Sequence, residues 1–261
     1  TTMNIICGVL KQTEGNVFIK GIDMRDNPVE AKRHIGFLPQ KPPLHTDLTV
    51  EEYLDYSARL RYIPHKEIPA AITEVVEKCG ISHFRKRLIR NLSGGYQQRV
   101  GIAQAIIHNP DFIILDEPTN GLDPNQIVEI RNLIKQIAQE RTVILSTHIL
   151  PEVQATCEYI YMVEKGKMVF SGTVDEFDNY ILPTTIRVTL LAHPTVEELT
   201  MIPGLVAAQH LGEMDYRLQF ADARNMVDEI IETCGIHNWR LSQIYMEKSS
   251  LDVVFAELSK K

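Results

Sequence analysis

Two short aliphatic runs, each ending in polar side chains, constrain the fold of this chain more than any other feature. Residues 112–115 run into Asp116 and Glu117, and residues 142–146 run through a threonine into His148. Continuously apolar strands are typical of parallel sheets covered by helices on both faces, and such sheets bind ligands beyond the carboxyl ends of their strands. The sequence therefore predicts an α/β domain with a mostly parallel sheet that presents Asp116, Glu117 and His148 at its carboxyl edge.

Helices are predicted around these strands from apolar periodicity and capping signals. Thr49 and Glu52 have capping-box spacing, and Asp123 before Pro124 predicts an N-cap followed by proline in the first turn. The helical stretch at about 45–98 interrupts the alternation of strands and helices and indicates an inserted helical subdomain. The other predicted elements are helices at 1–10, from Ser93 to about 109 and at 124–140, strands at 17–19 and 35–38, and a hairpin at 159–172.

A second, smaller domain is predicted after Pro183. Strand and helix patterns follow one another there in the order β-α-β-β-α-β, which indicates a small α+β ferredoxin-like domain. The predicted domains are therefore residues 1–182 and residues 183–261, with a last helix at 251–258.

Composition excludes several classes of function. The chain has 27 Lys and Arg against 34 Asp and Glu, a net charge of −7, which disfavours nucleic-acid binding through a broad basic face. Its four cysteines lie far apart, so neither a zinc site nor a disulfide framework is expected, and a reducing compartment fits best. No aliphatic run approaches the roughly 18 residues of a membrane span, so work at a membrane would require a partner.

Each candidate motif, taken alone, has a structural interpretation beside the functional one. Ser93 before Gly94 and Gly95 could leave bare backbone for a phosphate, or could be only a turn and cap. Asp116 is placed to hold Mg²⁺ through its water shell and Glu117 to polarise a water, or both could form a polar turn. His148 alone would usually be structural, and capping is enough to explain an aspartate before Pro124.

In their order along about residues 1–180, these motifs resemble those of the nucleotide-binding subunits of ABC transporters. Gln40 is similar to the Q-loop glutamine and His148 to the H-loop histidine, while residues 92–98, 112–117 and 121–123 are similar to the signature, Walker B and D-loop. The resemblance implies a P-loop NTPase-like ABC domain that binds ATP and Mg²⁺ and hydrolyses ATP.

The resemblance also implies a role for each matching residue in a head-to-tail dimer of two ABC domains. The implied catalytic residues are Glu117 and His148, and Mg²⁺ would be held through water by Gln40 and Asp116. Contacts to ATP, or to the partner domain around it, are implied for Thr1, Thr2, Gln40, Ser93, Gly94, Gly95, Asp116 and Asp123.

The single motif set, the small C-terminal domain and the ending at 250–258 are similar to the ATPases of type-2 ABC exporters, including gliding-motility and drug- or ion-efflux types. That similarity implies a polytopic membrane permease as partner and a cytoplasmic position on the inner face of the membrane. The alternative is a non-transport ABC ATPase acting on ribosomes or DNA. Three features disfavour this alternative: the chain has only one motif set, the interval from Gln40 to Ser93 is too short for a long coiled coil, and the net charge is acidic. No nucleic-acid partner is therefore expected.

The sequence departs from the family pattern in two ways. Tyr96 stands where the signature most often has glutamine, and no G-x-x-x-x-G-K-[ST] phosphate loop occurs in the 261 residues. The resemblance implies that this Walker A loop would lie directly before Thr1. We therefore expect the sequence to be a piece of a longer ATPase and to hydrolyse little or no ATP by itself. If the loop is naturally missing, the alternative is a catalytically inactive structural subunit.

Overall fold

The structure, a computed structural model, describes residues 1–180 and 183–247 of the chain. The chain divides into two units, Thr1–Thr156 and Cys157–Lys261. This division lies before the 159–172 hairpin, which the sequence analysis assigned to the first domain. The assignment of residues 1–182 to one nucleotide-binding domain remains a prediction.

The N-terminal segment contains helix α1 (Thr2–Ile6), a hairpin of β1 (Phe18–Ile19) and β2 (Ile22–Asp23), and helix α2 (Pro28–Arg33). The helix predicted at 1–10 is shorter because Gly8 adopts a left-handed conformation, with φ of +63°, that stops it. The sequence analysis missed α2, although Pro28 lies in its first turn.

The helical subdomain lies between two strands of the main sheet, as predicted. After β3 (Ile35–Leu38) come α3 (Val50–Leu60), α4 (Ile68–Lys78), two short 3₁₀ turns and α5 (Gly94–Ile106). The capping box at the start of α3 is confirmed, because the Glu52 carboxylate accepts from the Thr49 N–H at 2.8 Å while the Glu52 N–H donates to Thr49 Oγ1 at 3.3 Å. Apolar side chains of these helices and of the neighbouring strands form one continuous core.

The sheet is completed by β4 (Phe112–Asp116), α6 (Pro124–Ala138), β5 (Thr142–Ser146) and α7 (Leu150–Thr156). Strands β3, β4 and β5 lie side by side and run parallel, which confirms the predicted sheet type. The interior of β4 is buried, whereas β5 is only half-buried, unlike the second buried strand that was predicted. β5 has β4 as its one neighbouring strand in the described sheet, but it is less buried than β3, which lies at the other edge.

The second unit begins with a hairpin of β6 (Tyr159–Glu164) and β7 (Lys167–Thr173), followed by α8 (Val174–Asp178). Then come β8 (Thr185–Leu190), α9 (Val196–Leu199), β9 (Leu205–Gly212), β10 (Asp215–Phe220), α10 (Val227–Ile236) and β11 (Leu241–Glu247). The four last strands form an antiparallel sheet in the order β11-β8-β10-β9, which confirms the predicted β-α-β-β-α-β arrangement. The helix predicted at 251–258 lies outside the described residues.

Candidate active site

Three of the predicted site segments meet at one edge of the parallel sheet. Asp116 ends β4 directly opposite Ser146 at the end of β5, and Gln40 follows β3 by two residues. Because the carboxyl ends of parallel strands lie together, this edge carries polar groups from three loops. Of these groups Gln40 is exposed and Asp116 is half-buried.

Glu117 and His148, predicted from two separate strands, are in direct contact. The Nδ1 atom of His148 lies 2.8 Å from Oε1 of Glu117. The Glu117 side chain is only 15% exposed, whereas that of His148 is 72% exposed. The backbone of Glu117 has φ of +50°, a left-handed conformation that is unfavourable for a residue other than glycine. Its N–H donates to the Ser146 carbonyl at 2.8 Å, and this bond across the sheet edge helps to hold the strained residue.

The electrostatics of this pair fit acid–base chemistry. The Glu117 carboxylate raises the pKa of His148 above its ordinary value, first by hydrogen bonding and second by charge attraction. The other carboxylate oxygen, Oε2, is buried and has no hydrogen-bond partner among the described residues. A buried acceptor without a partner is unfavourable, so a hydrogen-bond donor that reached this oxygen would relieve that cost.

The Ser-Gly-Gly segment lies at the start of α5. Ser93 occupies the N-cap position without a side-chain capping bond, and Ser93 and Gly94 are exposed. Gly95 is buried against Gln126, where an added Cβ would lie 2.6 Å from the Gln126 side chain and would require that side chain to move. The Ser93 hydroxyl and the first amides of a 13-residue helix are thereby left to an external acceptor, such as a phosphate oxygen.

Tyr96, the departure from the usual signature, packs within the helical subdomain. Its ring meets Phe84 edge-on at 4.5 Å between centroids and His83 at 5.8 Å. The tyrosine therefore adds aromatic packing next to the Ser-Gly-Gly segment.

The remaining predicted residues lie at helix starts. Asp123 caps α6, because its Oδ1 accepts from the N–H groups of Asn125 at 3.1 Å and Gln126 at 3.0 Å, as expected from the sequence. Thr1 and Thr2 are exposed at the start of α1.

The sequence analysis missed a buried carboxylate behind the site. Glu152, in α7, is 1% exposed and accepts hydrogen bonds from Thr119 and Thr147. The only signal in the sequence is that Glu152 follows His148 by four residues, and such spacing does not by itself indicate burial.

The residues at the sheet edge suit a hard cation. Carboxylate and amide oxygens, as in Asp116 and Gln40, are ligands that Mg²⁺ accepts, and it usually completes its shell with water and substrate phosphates. Among residues 1–180 and 183–247, no group of three or more His, Cys, Asp or Glu side chains could hold a metal ion. No helix in the same ranges has both the length and the apolar character of a membrane span.

Comparisons with known proteins agree on one family. The family model described as ABC transporter matches residues 1–120. The chain is 39% identical over 171 residues to the bacitracin transport ATP-binding protein BcrA of Bacillus licheniformis, a match covering 65% of the chain and 55% of BcrA. It is 34% identical over 177 residues to the ABC transporter ATP-binding protein NatA of Bacillus subtilis, covering 67% of the chain and 72% of NatA. The chain thus spans little more than half the length of BcrA.

The fold of about two thirds of the chain has solved counterparts. A dimeric ATP-binding cassette in a post-hydrolysis state, bound to ADP and phosphate, matches with a TM-score of 0.59 and 29% identity. That match covers 66% of this chain and 79% of the solved chain.

Proposed function

The chain belongs to the ABC transporter family of ATP-binding proteins, and from this premise we propose that its protein hydrolyses ATP to drive an export system at a membrane. The observation that carries the proposal is the contact between Glu117 and His148 at the carboxyl edge of the sheet, with Oε2 of Glu117 buried and without a hydrogen-bond partner among residues 1–180 and 183–247. A fixed carboxylate with an unused acceptor is the group that activation of an attacking water requires.

In this proposal Glu117 accepts hydrogen bonding from the attacking water and weakens its O–H bond. His148 orients the Glu117 carboxylate through Nδ1 and, being mostly exposed, has its other ring nitrogen available to a phosphate oxygen. Mg²⁺, held through water by Asp116 and Gln40, would neutralise charge that develops on the phosphates. Thr1 and Thr2 are proposed as further phosphate contacts.

We further propose that a second ABC domain completes the site. The exposed Ser93 hydroxyl and the Gly94 and Gly95 amides would contact the γ-phosphate of ATP bound to the partner domain. Asp123, whose Oδ1 already caps α6, would approach the partner through its exposed side chain. The dimeric assembly of the similar solved cassette supports this arrangement.

The proposed partner in the membrane is a polytopic permease, which would place this subunit on the cytoplasmic face. The similarity to a bacitracin transport protein supports a role in transport. The small domain predicted at 183–261 is proposed as an accessory to this subunit.

The test is steady-state ATP hydrolysis by the product of the complete gene. Glu117→Gln preserves size and removes the carboxylate, so we expect a fall in rate of at least about 100-fold, in the range that general bases contribute. Glu77→Gln, the same change at an exposed site on α4, is the matched control and should leave the rate unchanged. Equal rates for Glu117→Gln and the unaltered protein would refute the proposed role.

A further inference from the structure

A buried carboxylate joins the two loops that carry Glu117 and His148. The hydroxyl of Thr119, itself 2% exposed, lies 2.7 Å from both carboxylate oxygens of Glu152. The Thr147 hydroxyl lies 3.3 Å from Oε2 of the same carboxylate. Thr119 follows Glu117 by two residues and Thr147 directly precedes His148, so one side chain binds both loops.

The Thr147 hydroxyl also fixes the backbone on the far side of His148. While its hydrogen points toward Glu152, its oxygen accepts from the N–H of Ile149 at 3.1 Å. His148 therefore lies inside a short turn that is closed by Thr147 and anchored on Glu152.

Packing alone gives no reason for a carboxylate at this position. A charge at 1% exposure is costly unless it is paired and hydrogen-bonded, and an apolar side chain of similar volume would avoid that cost. A nearby cation, Arg131, lies 3.7 Å away, within ion-pair range but beyond a normal hydrogen bond. The two threonine hydroxyls supply hydrogen bonds to the buried carboxylate, and Arg131 adds charge attraction.

We propose that Glu152 is a positioning residue, which through Thr119 and Thr147 holds the loops after β4 and β5 in the register that keeps His148 against Glu117. This inference rests on the proposed ATPase function. Glu152 itself does not touch the reacting atoms. Its hydrogen bonds fix the spacing of the two groups that do, and an error of about 1 Å in such spacing can cost about 100-fold in rate.

The decisive variant is Thr119→Val, which keeps shape and keeps the Glu152 charge but removes the hydroxyl. We expect kcat for ATP hydrolysis to fall about 10- to 100-fold while KM changes less than about threefold, because the loops bind ATP but misplace the catalytic pair. Thr119→Ser restores the hydroxyl and should recover most of kcat. Loss of kcat in both variants, or unchanged kcat in Thr119→Val, would overturn the inference.

Crystal structures of the same variants test the geometry without relying on activity. In Thr119→Val the distance from His148 Nδ1 to Glu117 Oε1, 2.8 Å here, should exceed hydrogen-bonding range, and in Thr119→Ser it should not. An unchanged distance in Thr119→Val would overturn the inference even if the protein hydrolyses ATP. Conversely, a Glu117→Gln variant that keeps full activity would refute the proposed function and leave this geometric test intact.

Glu152→Gln and Thr147→Val extend the test to the other members of the network. Both should lower kcat more than they raise KM, and both should retain the cooperative unfolding of the original protein. If Glu152→Gln does not fold, Thr119→Val and Thr147→Val carry the test, since both retain the carboxylate.

Discussion

At the scale of single residues, the site depends on the left-handed backbone conformation of Glu117, which could not be predicted from the sequence. The sequence predicts that the motif around Asp116 and Glu117 ends a strand, with Asp116 holding Mg²⁺ and Glu117 acting in catalysis, and that His148 ends the next strand. Nothing in residue type indicated that Glu117 would adopt φ of +50°, since glutamate has no preference for left-handed backbone. The conformation is a tertiary effect, because the bond from the Glu117 N–H to the Ser146 carbonyl joins two strands.

The first residue-scale prediction concerns the protonation of His148. Its pKa is raised by the hydrogen bond and charge of Glu117, so Glu117→Gln should lower the pKa of His148 toward its ordinary value of about 6.5. Because protonated His148 is favoured in the folded state, its contribution to stability is fully present below about pH 6.5 and is lost as pH rises through the raised pKa. NMR titration of the His148 ring in the original protein and in Glu117→Gln measures the two pKa values. An equal or higher pKa in the variant would contradict the assigned contact.

A second residue-scale prediction separates the two interpretations of Asp123. Asp123→Ala removes the cap of α6 and should lower the free energy of unfolding by about 1 kcal/mol. Asp123→Asn keeps a capping oxygen and should stay within a few tenths of a kcal/mol of the original. Urea unfolding measures the free energy of unfolding of both variants. If Asp123→Asn also lowers ATP hydrolysis while remaining stable, the residue has the proposed second role, which depends on its charge.

At the scale of elements, what could be predicted follows from local signals. Strands β3 to β5 and the helix starts at Thr49 and Asp123 came from apolar runs and caps, which act over a few residues. Helix α2 and helix α7 were missed because each is short and lacks a clear apolar period, so tertiary packing determines them. Glu152 was missed because its burial also depends on tertiary packing, with hydrogen-bond partners 33 and 5 residues away in the sequence.

A prediction at this scale tests how β3 packs on α5. A Cβ added to Gly36 would lie 2.2 Å from the carbonyl oxygen of Ala105, a backbone atom that cannot move aside without shifting the helix. Gly36→Ala should therefore lower the free energy of unfolding by about 1–3 kcal/mol, the usual cost of overpacking.

The control is Gly235→Ala in α10, where an added Cβ meets no atom within 4 Å. There the higher helix propensity of alanine should leave stability unchanged or raise it by up to about 1 kcal/mol. Denaturant unfolding compares the two variants. A Gly36→Ala protein as stable as Gly235→Ala would contradict the close packing of strand and helix.

At the scale of the whole molecule, fold class was the most predictable property and assembly the least. The parallel sheet, the helical insertion and the antiparallel β11-β8-β10-β9 sheet all follow from the order of elements along one chain. The roles proposed for Ser93, Gly94 and Gly95 depend on a second ABC domain, and no periodicity within a single chain encodes such a contact. These roles therefore remain proposals based on the exposure of Ser93 and Gly94 and on the similarity to a dimeric cassette.

The most direct test of the account is the identity of the nucleotide that stays bound after one round of reaction. The product of the complete gene is mixed with Mg²⁺ and a limiting amount of labelled ATP, separated from free nucleotide, and the bound label is analysed. We predict ADP on the unaltered protein and intact ATP, bound at least as well, on Glu117→Gln, because the carboxylate acts in hydrolysis rather than in binding. ADP on both proteins at equal rates would contradict the central claim that Glu117, held by His148, activates the attacking water.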